Sequence, residues 1–198
     1  MKKIYSFGKG IDNADFFYCY STHAKTFEPF VQEEDCVKNT YRPELKYYDY
    51  IGLLTRKRYS FGTKVTVECS FEKAGAPLIL LSDDIQKNGQ GRNVLGLHFE
   101  AVAYANGCNV WHILPFPERQ EYAIKPTKID CLEFSVRENE RVEIEVVLQR
   151  NAMSVRVQDK VLTVKNTEIP EKCHVGFTAC EGICRFYKMT VETAGERK

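Results

Sequence analysis

His98 and Glu100 stand two residues apart in VLGLHFEAVAY, and Trp111 and His112 follow in NVWHIL. Side chains two apart on an extended chain share a face, so His98 and Glu100 project together. An imidazole and a carboxylate within reach of each other suit general acid–base work. Trp111 is the only tryptophan. Its flat indole suits the apolar face of a pyranose ring, with planar polar groups beside it for the hydroxyls. If the two strands pair, His98, Glu100, Trp111 and His112 form a candidate ligand-binding group, with Glu100 and His98 the candidates for catalysis. The competing reading makes Trp111 a core residue and leaves His98 and Glu100 facing water.

Other candidates are weaker. Asp83-Asp84 ends PLILLS and meets the loop QKNGQGRN. Carboxylates and loop carbonyls at such a place are hard oxygen ligands for calcium, although a turn cap explains the pair as well. Arg92 in that loop can reach a ligand's hydroxyls or carboxylate. Gly89-x-Gly91 is no phosphate loop, because no Gly-Lys-Ser/Thr and no strand–helix context follows. Cys173-His174, Cys180 and Cys184 lack zinc-knuckle spacing and read as core thiols. Cys108 with His112 four residues on lacks a third, orienting group.

The elements that position these residues are strands. KVTVECSF (64–71) places Val65, Val67, Cys69 and Phe71 on one face. PLILLS (77–82) is apolar on both faces, as in a strand buried inside a sandwich. ERVEIEVVLQRNAMSVRVQDKVLTV (140–164) alternates three times around two tight turns, Arg150-Asn151 and Gln158-Asp159-Lys160. Val142, Ile144, Val146 and Leu148 point one way; Glu143 and Glu145 point the other, onto a solvated face. HVGFTA and RFYKMTVE supply two closing strands, and a loop rich in proline (Pro115, Pro117, Pro126) precedes the hairpin. Helical periodicity is scarce; a turn or two over Glu33 to Asn39 is the best candidate. Short strands with turn signals between them predict an all-β sandwich or barrel.

The bulk numbers narrow the partners. The chain has 198 residues, 43% hydrophobic, with 28 basic and 27 acidic residues and a net charge of +1. That suits one domain with a real core. No basic stripe invites nucleic acid, and Arg56-Lys57-Arg58 reads as a solvated strand end. No apolar run reaches membrane-span length, and no signal peptide is visible, so a cytoplasmic protein with reduced thiols is expected.

Leu53 to Tyr59 followed by Phe61 to Phe71 resembles the opening strands of concanavalin A-like sandwich domains, notably the laminin-G-like and 3-keto-disaccharide hydrolase variety. Residues 141–164 are similar to their central hairpin. Arg150-Asn151 stands where that family has Gly-Asn, and Gln158-Asp159-Lys160 where it has Asn-Gly-Lys. Val175-Gly176-Phe177 and Arg185 to Val191 resemble its closing strands. The resemblance covers roughly residues 50 to 192. It implies a two-sheet antiparallel jelly roll whose concave sheet and rim loops hold a saccharide. The E-x-D-x-x-E string of glycoside hydrolase family 16 is absent.

The expectation is one sandwich domain over 1–198, with irregular aromatic strands and loops in 1–50 and the core sandwich in 51–192. Its function is carbohydrate binding in glycan or glycoside metabolism. The alternatives are a glycoside hydrolase-like enzyme and a non-catalytic subunit that packs on a protein partner. No cofactor is required beyond a possible calcium at Asp83 and Asp84.

Overall fold

The computed structural model describes residues 1–21, 27–44, 49–115 and 124–194. Among them are sixteen strands: β1 (Lys2–Ser6), β2 (Phe16–Tyr20), β3 (Phe30–Gln32), β4 (Val37–Asn39), β5 (Ile51–Thr55), β6 (Tyr59–Ser60), β7 (Thr63–Ser82) and β8 (Ile85–Lys87), then β9 (Asn93–Leu95), β10 (His98–Tyr104), β11 (Gly107–Pro115), β12 (Ile124–Glu133), β13 (Val142–Gln149), β14 (Ala152–Val157), β15 (Lys160–Lys165) and β16 (Lys172–Thr193). Among the described residues no helix is long and apolar enough to cross a membrane.

Two long strands organise the molecule. β7 and β16 pair antiparallel along nearly their whole length, from Thr63↔Thr193 to Ser82↔His174. Their outer ends belong to different sheets. The half of β7 that holds Leu78–Ser82 pairs with β10, and the half that holds Lys64–Cys69 pairs with β13. The front sheet therefore runs β12-β11-β10-β7-β16-β5-β2-β9-β8. The back sheet runs β15-β14-β13-β7-β16, with β1 and β4 on the far edge of β16 and β3 beyond β4. The strands change sheet through bulges, between Ala179 and Glu181 and between Glu181 and Ile183. Gly182 sits there at φ 56° and Ala74 of β7 at φ 57°. Bulges and bends of this kind make the corners of sandwiches.

Alternation decides what is buried. Val65, Val67, Cys69 and Phe71 join Val142, Ile144, Val146 and Leu148 in the main core between the sheets. Met153, Val155 and Val157 complete that layer, each fully buried. PLILLS is apolar on both sides because both its sides are covered. Ile79 and Leu81 face the main core, while Leu78 and Leu80 belong to a second cluster on the outer face of the front sheet. The N-terminal strands are integral to the core: Phe7, Phe16 and Phe30 sit in it, Phe7 and Phe30 edge-on to Phe177.

Three local expectations change. Glu33 to Asn39 is a tight turn into β4, closed by the Glu33 amide donating to the Cys36 carbonyl. Burial of Phe30 and Val37 favours a hairpin there over a helical turn. The segments 64–71 and 77–82 are one strand, since AGA at 74–76 forms the bend rather than a break. Pro126 lies in the edge strand β12, opposite Ile113, where a missing amide is tolerated. Pro117 lies outside the described residues.

The polar parity of the long hairpin is surface. Arg156 donates to both carboxylate oxygens of Glu145 at 3.1 and 2.7 Å, and Lys188 stands 3.8 Å from Glu143.

Candidate functional site

β10 carries His98, Glu100, Val102 and Tyr104 on the outer face of the front sheet, and Phe99, Ala101 and Ala103 on the core face. Register then places the β11 residues. Trp111 is directly opposite Glu100 and shares its face; His112 is directly opposite Phe99 and shares the other. The structure thus brings together three of the four residues that the sequence groups. Trp111 packs on the outer-face cluster, partly exposed. His112 stacks on Phe99 at 4.7 Å with 14° between the rings, buried on the core side. Its Nε2 has no hydrogen-bond partner and faces the Glu168 carboxylate at 3.6 Å. His112 therefore stands apart from the candidate site, because successive strand residues alternate sides.

His98 and Glu100 do meet, and a third residue joins them. The Tyr50 phenol donates to Glu100 Oε1 and lies 3.1 Å from His98 Nε2. His98 Nε2 in turn lies 3.2 Å from Glu100 Oε1. The Gly96 carbonyl, 2.7 Å from His98 Nδ1, accepts that ring proton and so fixes the ring. None of the three is open to solvent: His98 is 0%, Tyr50 5% and Glu100 7% exposed. Burial first, and then the Glu100 carboxylate, hold the Tyr50 phenol well above its ordinary value. This is a hydrogen-bonded polar network buried under the face. Tyr50 escaped the sequence reading because it lies fifty residues from Glu100, just before β5, with no periodicity to mark it.

Asp84 holds the network in place. One of its carboxylate oxygens accepts from the Leu97 amide at 2.8 Å, and its carbonyl accepts from the Gly96 amide at 2.8 Å. Gly96 has no room for a side chain: a Cβ there would sit 1.8 Å from Asp84 Oδ2. Asp83 turns elsewhere, 3.4 Å from Arg58. The two carboxylates therefore have different partners. Among the described residues no group of three or more acidic, His or Cys side chains forms a metal site. Arg92 lies over the Tyr20 ring at 5.4 Å, at the tip of the β8–β9 hairpin. The Asn88 side chain accepts from the Gln90 and Arg92 amides and so closes the turn of this loop.

All eight cysteines are free. Cys173 and Cys184 face the main core and Cys180 the outer cluster, so the C-terminal group does not gather. Burial pushes the Cys108 and Cys173 thiols up to about 12, which makes them poor nucleophiles.

Beside Tyr50 the face opens into a cleft of about 240 Å³. Phe27, Tyr41 and Tyr50 line it with Arg42, Thr178 and Glu181. Asn39 builds its floor: its side-chain amide donates to the Gly182 carbonyl at 3.0 Å and its oxygen accepts from the Cys184 amide at 2.7 Å. That clamp fastens the 39–43 segment to the bend of β16. Thr40 Oγ1, also in the lining, is buried with no hydrogen-bond partner.

By sequence, no protein-family model and no curated protein matches the chain. Solved structures do. The carbohydrate-binding module CBM66 from Bacillus subtilis aligns at TM-score 0.52 and 6% identity, over 89% of this chain and 92% of that one. LamAcat from Zobellia galactanivorans aligns at TM-score 0.59 and 10% identity, over 92% of each chain. An inactivated mutant of beta-agarase B in complex with agaro-octaose aligns at TM-score 0.61 and 7% identity, over 91% and 85%. The fold is a concanavalin A-like jelly roll. At such identities the likeness concerns the fold alone, and function rests on the site.

Proposed function

We propose that this chain is a carbohydrate-binding sandwich domain that takes its ligand in the cleft at the end of the front face. The observation that carries this reading is the lining of that cleft. Phe27, Tyr41 and Tyr50 supply aromatic rings for the apolar side of a sugar, and Arg42 and Glu181 supply polar partners for its hydroxyls. Solved structures of the same fold include a carbohydrate-binding module and an agarase seen with agaro-octaose, which agrees with a saccharide ligand. Trp111 packs on the outer-face cluster and stands outside the lining of the cleft.

Hydrolysis is the second reading, and one observation favours it. Glu181 lines the cleft and Glu100 is hydrogen-bonded to Tyr50 of the same lining, so two carboxylates serve this part of the face. A glycosidase needs such a pair flanking the scissile bond. Glu100, however, is 7% exposed and spends Oε1 on Tyr50 and His98. That commitment favours binding over turnover. Eight free thiols support a reducing compartment, and hence a cytoplasmic protein.

The test is a thermal-shift screen against mono- and oligosaccharides, followed by product analysis with any sugar that binds. A ligand at 100 times its dissociation constant adds about 2.7 kcal/mol of stability. A sugar-specific shift without product supports the binding domain. A shift with product that Glu181→Gln abolishes moves the reading to an enzyme. No shift with any saccharide overturns both.

A further inference from the structure

The outer face of the front sheet does not continue the cleft. Leu54, Leu78, Leu80 and Val102 fill its middle, each no more than 2% exposed. Tyr50 closes it from the cleft side, 5% exposed, its phenol tied to His98 and Glu100. Phe17, Tyr104 and Trp111 pack against the same cluster. Gly52, in the middle of this face, has Leu80 Cδ1 where a Cβ would be, at 2.3 Å, so side chains here interlock without a gap. At the opposite wall the bends of β7 and β16 block the cleft, with Ala74 and Gly182 in its lining. Pockets that bury drug-sized ligands start at about 300 Å³, so a cleft of about 240 Å³ suits something smaller.

We propose that the cleft accepts a single sugar residue, either a free monosaccharide or the terminal residue of a chain, and that Tyr50 and the aliphatic plug behind it exclude internal stretches of a polysaccharide. This rests on the carbohydrate reading above and adds a rule of selection to it. The chemistry is that of a walled pocket: the rings of Tyr41 and Phe27 line it together with Tyr50, and Arg42 and Glu181 supply partners for the ligand's hydroxyls. A second residue of a bound chain meets solvent, so it adds no buried area and little affinity. Tyr41 is 47% exposed, so it can be removed with little harm to the fold.

The experiment is solution calorimetry with the whole chain against length series. Glucose, galactose, mannose, xylose, fructose and N-acetylglucosamine are each titrated alone and as linear homo-oligomers of increasing length. The expected result is that one series binds and that its affinity changes by less than about threefold after the first residue, well under the tenfold that 1.4 kcal/mol of extra contact gives. Tyr41→Ala then weakens the monosaccharide about tenfold or more, and Trp111→Ala leaves it within about threefold. Affinity that climbs steadily with chain length, with no measurable binding of the monosaccharide, overturns end-on selection while keeping carbohydrate as the ligand. Loss of binding in Trp111→Ala with Tyr41→Ala unaffected overturns the placement in the cleft. Absence of binding in every series overturns the carbohydrate reading and this inference with it.

Discussion

Tyr50 donates its phenolic proton to Oε1 of Glu100, joining the residue that precedes β5 to the middle of β10 across the outer face of the front sheet. The contact puts the buried Glu100 carboxylate against an aromatic residue that also lines the cleft. It couples fold stability to the shape of the site, and several measurements follow from it and from its surroundings.

Tyr50→Phe keeps the ring and removes the donor. Glu100 and His98 Nε2 are then left facing each other with one proton donor fewer in a site that water does not reach. The expected cost is about 1–3 kcal/mol in urea unfolding. Tyr50→Ala also opens a cavity and is expected to cost about 3–5 kcal/mol. A neutral Tyr50→Phe contradicts the network.

Asp84 acts as a turn clamp, its carboxylate accepting from the Leu97 amide, while Asp83 faces Arg58. Calcium is expected to leave the melting temperature unchanged, and Asp84→Ala to cost about 1.5–3 kcal/mol for a charge-assisted hydrogen bond. Gly96→Ala is expected to be equally damaging, because its Cβ would displace the same carboxylate. A calcium-dependent rise in melting temperature contradicts this assignment.

The alkaline limb of stability is set by buried thiols. Burial first of all pushes Cys19, Cys108 and Cys173 up to about 12, from an ordinary 9.0. The folded chain then keeps protons that the unfolded chain releases. Their contribution is whole below pH 9 and is lost as pH rises toward 12. Each retained proton steepens the fall by about 1.4 kcal/mol per pH unit. The urea midpoint should hold through neutral pH and drop steeply above 9. A midpoint that stays flat well into that range contradicts the burial.

Thiol labelling reads the same burial independently. Cys131 is exposed, Cys180 half-buried, and the other six are buried. A thiol-disulfide reagent should titrate one fast equivalent in the native protein and all eight in denaturant. Several fast equivalents without denaturant contradict it.

The long hairpin separates core from surface within one pair of strands. Arg156→Ala removes the exposed pair with Glu145 and should cost no more than about 1 kcal/mol. Leu148→Ala, at a fully buried position, should cost about 2–5 kcal/mol.

The strands of this fold were legible wherever one face met the core and the other met water. Val142 to Leu148 and Val65 to Phe71 announce themselves by alternation, and Asn151 and Gln158 mark the turns, each at positive φ. The two-sided apolar run PLILLS also signalled its double burial. What could not be read was long-range. Nothing local shows that β7 and β16 cross from one sheet to the other, because bulges at Ala74 and Gly182 look like loops. Tyr50 joins the site through a contact fifty residues away, and the cleft is assembled from segments around residues 40, 50, 74 and 180. The grouping of His112 with Trp111 broke a rule the sequence itself states, since neighbours on a strand face opposite ways.

The most direct test of a saccharide site in this cleft is calorimetric titration of the wild-type chain and Tyr41→Ala with the sugar that stabilises the protein best. The account predicts saturable one-site binding to the wild type and a loss of about tenfold or more in the variant. Equal binding by both proteins, or no saturable heat from any saccharide, contradicts it.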